Sequence, residues 1–151
     1  MKRLRVLAFA VATGRIGHVL VIGERLMDWG LSKRASQNTE LAALHAHRLN
    51  NELKPDVVVT EQVPKYSTKG VKTRALIEAI AAIAAKANLL DIRVHRPHDF
   101  PNKYAEAQYL GTKFPEIAAW VPRPRRLWEP EPRVTVVFEA LRIGVDAITR
   151  K

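Results

Sequence analysis

The sequence predicts one α/β domain over residues 1–151, a mixed five-stranded sheet flanked by helices in the order βββαβαβαα. Three observations carry this expectation: short apolar runs set off by glycine turns come first, helix-period segments alternate with further β-branched runs after them, and no internal repeat marks a second domain. Three strands in a meander imply antiparallel pairing. The later strands, each reached through a helix, should add parallel to the sheet by right-handed crossovers.

Val6, Leu7, Ala8, Phe9, Ala10 and Val11 form an unbroken apolar run before the Thr13 and Gly14 turn, the pattern of a strand covered on both faces. The basic start and apolar stretch of 1–12 superficially resemble a signal peptide, but the run is short and enters a polar turn, so a buried strand is expected. A second strand spans 18–22, and after the Gly23 and Glu24 turn a third spans 25–31. Ser36 or Asn38 caps a first helix, on which Leu41, Leu44, Leu49 and Leu53 recur at helical spacing until Lys54 and Pro55 stop it. The β-branched run 56–61 is a fourth strand that ends on Glu61. A basic loop over 64–72 leads to a second helix over 74–87, whose apolar stripe is Leu76, Ile77, Ile80, Ile83 and Ala84. A fifth strand spans 90–95. Pro97 and Pro101 then break the chain before a modest helix over 102–113. Residues 122–132 are too rich in proline for regular structure, and Val134, Val137, Phe138, Leu141, Val145 and Ile148 define a final amphipathic helix.

Of the 151 residues, 47% are hydrophobic and 26% charged, enough to build a core without staples. With 25 Lys and Arg against 15 Asp and Glu the formal net charge is +10, so the surface carries a positive field and a polyanionic partner is the natural inference. Charge that serves only solubility, or a basic protein-interaction domain, is the alternative. There is no cysteine, which excludes disulfides, thiolate metal sites and thiol nucleophiles and fits a cytoplasmic setting. No apolar stretch approaches the length that crosses a bilayer, so no membrane partner is expected. A glycine-rich phosphate cradle and a serine elbow are both missing, which disfavours P-loop and serine hydrolase chemistry.

Several short motifs fall on these elements in a telling order. The first strand and its turn run Phe9, Ala10, Val11, Ala12, Thr13, Gly14, Arg15, Ile16, Gly17; the fourth ends Val59, Thr60, Glu61, Gln62; the third helix opens Asn102, Lys103, Tyr104, Ala105, Glu106; the last contains Phe138, Glu139, Ala140, Leu141. Over nearly the whole chain this resembles the ribonuclease H-like superfamily, in particular the RuvC-type Holliday junction resolvases and their relatives. The resemblance implies a structure-selective DNA endonuclease scaffold, dependent on Mg²⁺ or Mn²⁺, that takes branched or duplex DNA, commonly as a homodimer. It also implies that Glu61 and Glu139 are metal ligands and that Lys103 contacts phosphate.

Two divalent cations about 4 Å apart can activate water and stabilise a leaving oxygen, and such hard ions need oxygen ligands. The bridging aspartate that the resemblance implies on the first strand corresponds to Ala10, which has no ligand atom. Metal binding should therefore be weak or absent, and cleavage impaired. A naturally inactive relative, an engineered substitution, or rescue by Asp28, Glu129, Glu131 or Asp146 would each account for it. An ion pair between Glu139 and Arg142, three residues on, is the alternative to a metal role.

The basic loop, with Lys65, Tyr66, Ser67, Thr68, Lys69, Lys72 and Arg74, offers cations and hydroxyls beside Glu61 that suit phosphate contacts. Arg123, Arg125 and Arg126 with Trp128 form a second cluster, where indole would stack on an unpaired base or pack the proline segment onto the core. His45 falls on the apolar stripe of the first helix, and His95 and His98 are expected to be loop residues.

Overall fold

The computed structural model describes residues 3–65, 69–126 and 128–149. Tyr66, Ser67 and Thr68 of the basic loop lie outside the described residues.

Strands β1 (Arg5–Ala12), β2 (Arg15–Ile22) and β3 (Arg25–Ser32) form the meander, followed by helix α1 (Thr39–Leu53), β4 (Val57–Glu61), α2 (Val71–Lys86), β5 (Leu90–Val94), α3 (Lys103–Lys113) and α4 (Thr135–Thr149). The sheet order is β3-β2-β1-β4-β5. β2 pairs antiparallel with β1 and β3, whereas β4 joins β1 and β5 joins β4 in parallel. The mixed five-stranded sheet is therefore the expected one. Two short 3-10 turns, Arg34–Ser36 and Pro115–Trp120, join it; they are too brief to leave a periodic signal.

Strand alternation splits the core in two. Val6, Ala8 and Ala10 of β1 join Val57 and Val59 of β4 against α3 and α4, while Leu7, Phe9 and Val11 join Val58 against α1 and α2. The layer under α4 is made of small residues for a reason. A Cβ on Gly17 would lie 2.8 Å from the Val136 backbone, and one on Gly144 would lie 3.1 Å from the Ala8 Cβ. The helix thus lies almost directly on β1 and β2.

The helix starts obey capping chemistry. Asn38 Oδ1 accepts from the Leu41 amide at 2.8 Å, and Asn102 Oδ1 accepts from the Ala105 amide at 2.9 Å, each satisfying a donor that the first turn leaves open. Two expectations need correction. Helix α2 begins at Val71, so Lys72 and Arg74 belong to its first turn and not to a loop. On α1, Ala42, Ala46 and Leu49 are buried and Leu44 is 62% exposed, because the helix packs against α2 and its inward stripe carries the alanines. His45 is half-buried beside this contact.

Candidate nucleic-acid interface

Parallel pairing brings the carboxyl ends of β1, β4 and β5 to one rim of the sheet, the edge where α/β folds collect their sites. Ala8 pairs with Val59, so two residues on, Ala10 and Glu61 follow on the face that α4 covers. Glu139 enters from the first turns of α4. Arg96, just past β5, feels the charges of Glu139, Glu106 and Glu61 together.

What surrounds the acids is cationic. Lys69 Nζ donates to Glu61 Oε1 at 2.9 Å and to the Val11 carbonyl at 3.0 Å. The Arg96 guanidinium donates to Glu139 Oε1 at 2.9 Å and to Glu106 Oε1 at 3.2 Å. Lys103 Nζ reaches Glu131 at 2.8 Å and Glu139 at 3.4 Å, and Arg15 meets the other Glu131 oxygen at 3.0 Å. Arg142 turns to Asp99 at 2.7 Å and Glu106 at 3.5 Å, leaving Glu139 to Arg96 and Lys103. Acid and base thus alternate in one chain from Asp99 through Arg142, Glu106, Arg96, Glu139, Lys103 and Glu131 to Arg15. Four cations meet four carboxylates.

Burial works against the charge on Arg96, but Glu139 and Glu106 more than offset it and hold its pKa above the ordinary value. Lys103 is likewise raised, burial being outweighed by its bonds to Glu131 and Glu139. Glu131 is also desolvated, yet Lys103 and Arg15 hold its carboxyl below the usual range. All three groups are therefore charged at neutral pH.

A divalent ion does not fit this arrangement. Ala10 is 4% exposed and sits within the apolar layer under α4, and Glu61 and Glu139 each have a cation on one carboxylate oxygen. Among the described residues no three acid or histidine side chains are grouped as metal ligands. The other acids are occupied as well: Asp28 bonds His18 at 2.8 Å, Glu129 lies 3.9 Å from Arg126, and Asp146 lies farther along α4 beside Arg142. None of them replaces a carboxylate at position 10.

The remaining basic residues fall into distinct settings. Lys65 and Lys72 are exposed, whereas Arg74 donates to the backbone carbonyls of Pro64 at 2.9 Å and Lys69 at 3.3 Å and so braces the loop. Arg125 is exposed, and Arg126 stacks 5.6 Å from the centre of the Trp128 ring. Trp128 is 77% exposed, so it does not anchor the proline segment to the core. Both His95 and His98 are exposed loop residues. A cleft of about 440 Å³ opens between Lys69, Arg96, Lys103 and Glu139, and a groove of about 660 Å³ runs past Arg126 and Trp128. Pro130 lines both.

Arg96 is the site residue that the sequence concealed. It stands alone between histidine and proline, with no motif around it. The one usable signal was its position immediately past a strand expected to run parallel to β4, which puts it on the same rim as Glu61.

No protein-family model matches the sequence, and no curated protein matches it either. Solved structures do match in fold. Thermus thermophilus RuvC superposes with a TM-score of 0.67 at 13% identity, covering 94% of this chain and 92% of that one. The Fowlpox virus Holliday junction resolvase gives 0.64 at 13% identity over 98% and 100%, and the yeast mitochondrial Holliday junction resolvase Ydc2 gives 0.62 at 12% over 93% and 76%. The first two have also been solved with Holliday junction DNA, at TM-scores of 0.59 and 0.63. The chain has the ribonuclease H-like fold of these resolvases. No described helix is long and apolar enough to cross a membrane.

Proposed function

We propose that this protein binds branched or duplex DNA through phosphate contacts at the carboxyl rim of its sheet and does not cleave it. One observation carries the reading: Lys69 and Arg96 donate to Glu61 and Glu139, where a resolvase-like centre would need ions. With residue 10 an alanine as well, cation-dependent hydrolysis has no ligand set, and fixed side-chain cations serve phosphate recognition in its place. The formal charge of +10, the exposed Lys65, Lys72, Arg125 and Arg126, and the stacked Arg126 and Trp128 support a nucleic-acid partner. So does the fold shared with resolvases solved on junction DNA.

The test is binding and cleavage of labelled four-way junction, duplex and RNA–DNA hybrid with Mg²⁺ or Mn²⁺, repeated with Ala10→Asp. Binding should persist in EDTA and weaken steeply with salt, by roughly a thousandfold between about 50 and 200 mM if about six phosphates are engaged. Neither protein should cut, since Ala10→Asp leaves Lys69 and Arg96 in place. Cleavage by the native chain, or binding indifferent to salt, would overturn the proposal.

A further inference from the structure

Glu131 is held in an unusual way. It lies between two prolines in the segment joining the Arg126 and Trp128 groove to α4, and its carboxylate bridges two cations from separate elements: Oε1 takes Lys103 Nζ of α3 at 2.8 Å, and Oε2 takes Arg15 of β2 at 3.0 Å. Each cation also has a second tether. Lys103 leans on Glu139 at 3.4 Å, and Arg15 reaches the Thr13 carbonyl at 3.5 Å. The pair would thus stay in position if Glu131 left.

A phosphodiester carries the same single negative charge on two free oxygens, and arginine and lysine are its usual partners. We infer that Arg15 and Lys103 form a phosphate subsite which Glu131 occupies in the free protein, so that a nucleic-acid phosphate enters only by displacing it. The inference rests on the nucleic-acid reading given above. Pro130 borders both the cleft and the Trp128 groove, so a phosphate at Arg15 and Lys103 would have that groove beside it, with Trp128 there for a neighbouring base. The subsite is masked, and affinity at rest is correspondingly reduced.

Glu131→Gln tests this, because the amide keeps the shape and removes the competing charge. Three quantities are compared with the native protein: affinity for four-way junction DNA, affinity for pyrophosphate by calorimetry, and the rate of tryptic cleavage after the exposed Arg133. The expected result is about threefold to tenfold tighter junction binding with a salt slope steeper by about one, a parallel gain for pyrophosphate, and faster cleavage. If neither protein binds DNA while the variant still gains pyrophosphate affinity, the subsite stands and the nucleic-acid reading falls. Equal or weaker binding of both ligands by Glu131→Gln overturns the inference, even if the segment is cut faster.

Discussion

The two faces of the sheet bury polar groups on opposite terms. Under α4 the buried Glu61, Glu106 and Glu139 each meet a lysine or arginine within 3.5 Å. Under α1 and α2 the buried polar side chains include no carboxylate, and several polar atoms go unmatched: His18 Nδ1, His45 Nε2, Thr60 Oγ1 and both side-chain polar atoms of Asn50 have no hydrogen-bond partner among the described residues. An unmatched neutral group costs about 1–3 kcal/mol, whereas an unmatched buried charge costs more, so on the charged face each acid has a cation even though the Nε atoms of Arg15 and Arg96 and the Thr135 hydroxyl are left without a hydrogen-bond partner among the described residues. The charged face is the one that holds a site.

The strongest blow to that contrast is Arg96→Ala. It would leave Glu139 to Lys103 at 3.4 Å and Glu106 to Arg142 at 3.5 Å, and should lower stability by about 3 kcal/mol in urea unfolding, with Glu139→Gln in the same chain recovering part of the loss. A loss under 1 kcal/mol would mean that the pairs are incidental. Lys69→Met is milder, about 2 kcal/mol, because it removes the close partner of one buried carboxylate where Arg96→Ala removes that of two.

The neutral face should respond to pH instead. Burial, with the nearby His18 and Arg48, lowers the His45 pKa to about 4 from 6.5. Between those values the unfolded chain takes up a proton that the folded one refuses, so stability falls as pH drops from 6.5 to about 4 and is flat below. Allowing for its partial exposure, the loss should be about 1 kcal/mol. His45→Asn should flatten the unfolding free energy across that window, and an unchanged slope would assign the acid sensitivity to other groups.

Most of the fold was legible because its strands are β-branched and its helices are periodic or well capped. The start of α2 was not, since Val71 is 86% exposed and Gly70 offers no side-chain cap. Leu44 misled for a similar reason: leucine spacing marks a helix but not which stripe faces in when alanines fit a close neighbouring helix. At the rim, Glu61 and Glu139 could be paired in advance because each lies on an ordered element with a recognisable neighbourhood. Their partners could not be, since Lys69 and Arg96 come from irregular segments that only tertiary pairing brings together.

The seam of Gly17, Ala8 and Gly144 reaches beyond packing. At Gly17 the α4 backbone at Val136 leaves no room for a side chain, and at Gly144 only the Ala8 methyl intervenes, so the height of the helix is set with almost nothing compressible beneath it. A single methyl group at residue 17 would tilt its front end upward and carry Glu139 out of the grasp of Arg96. An electrostatic defect would then have a purely steric origin, in a residue that bears no charge.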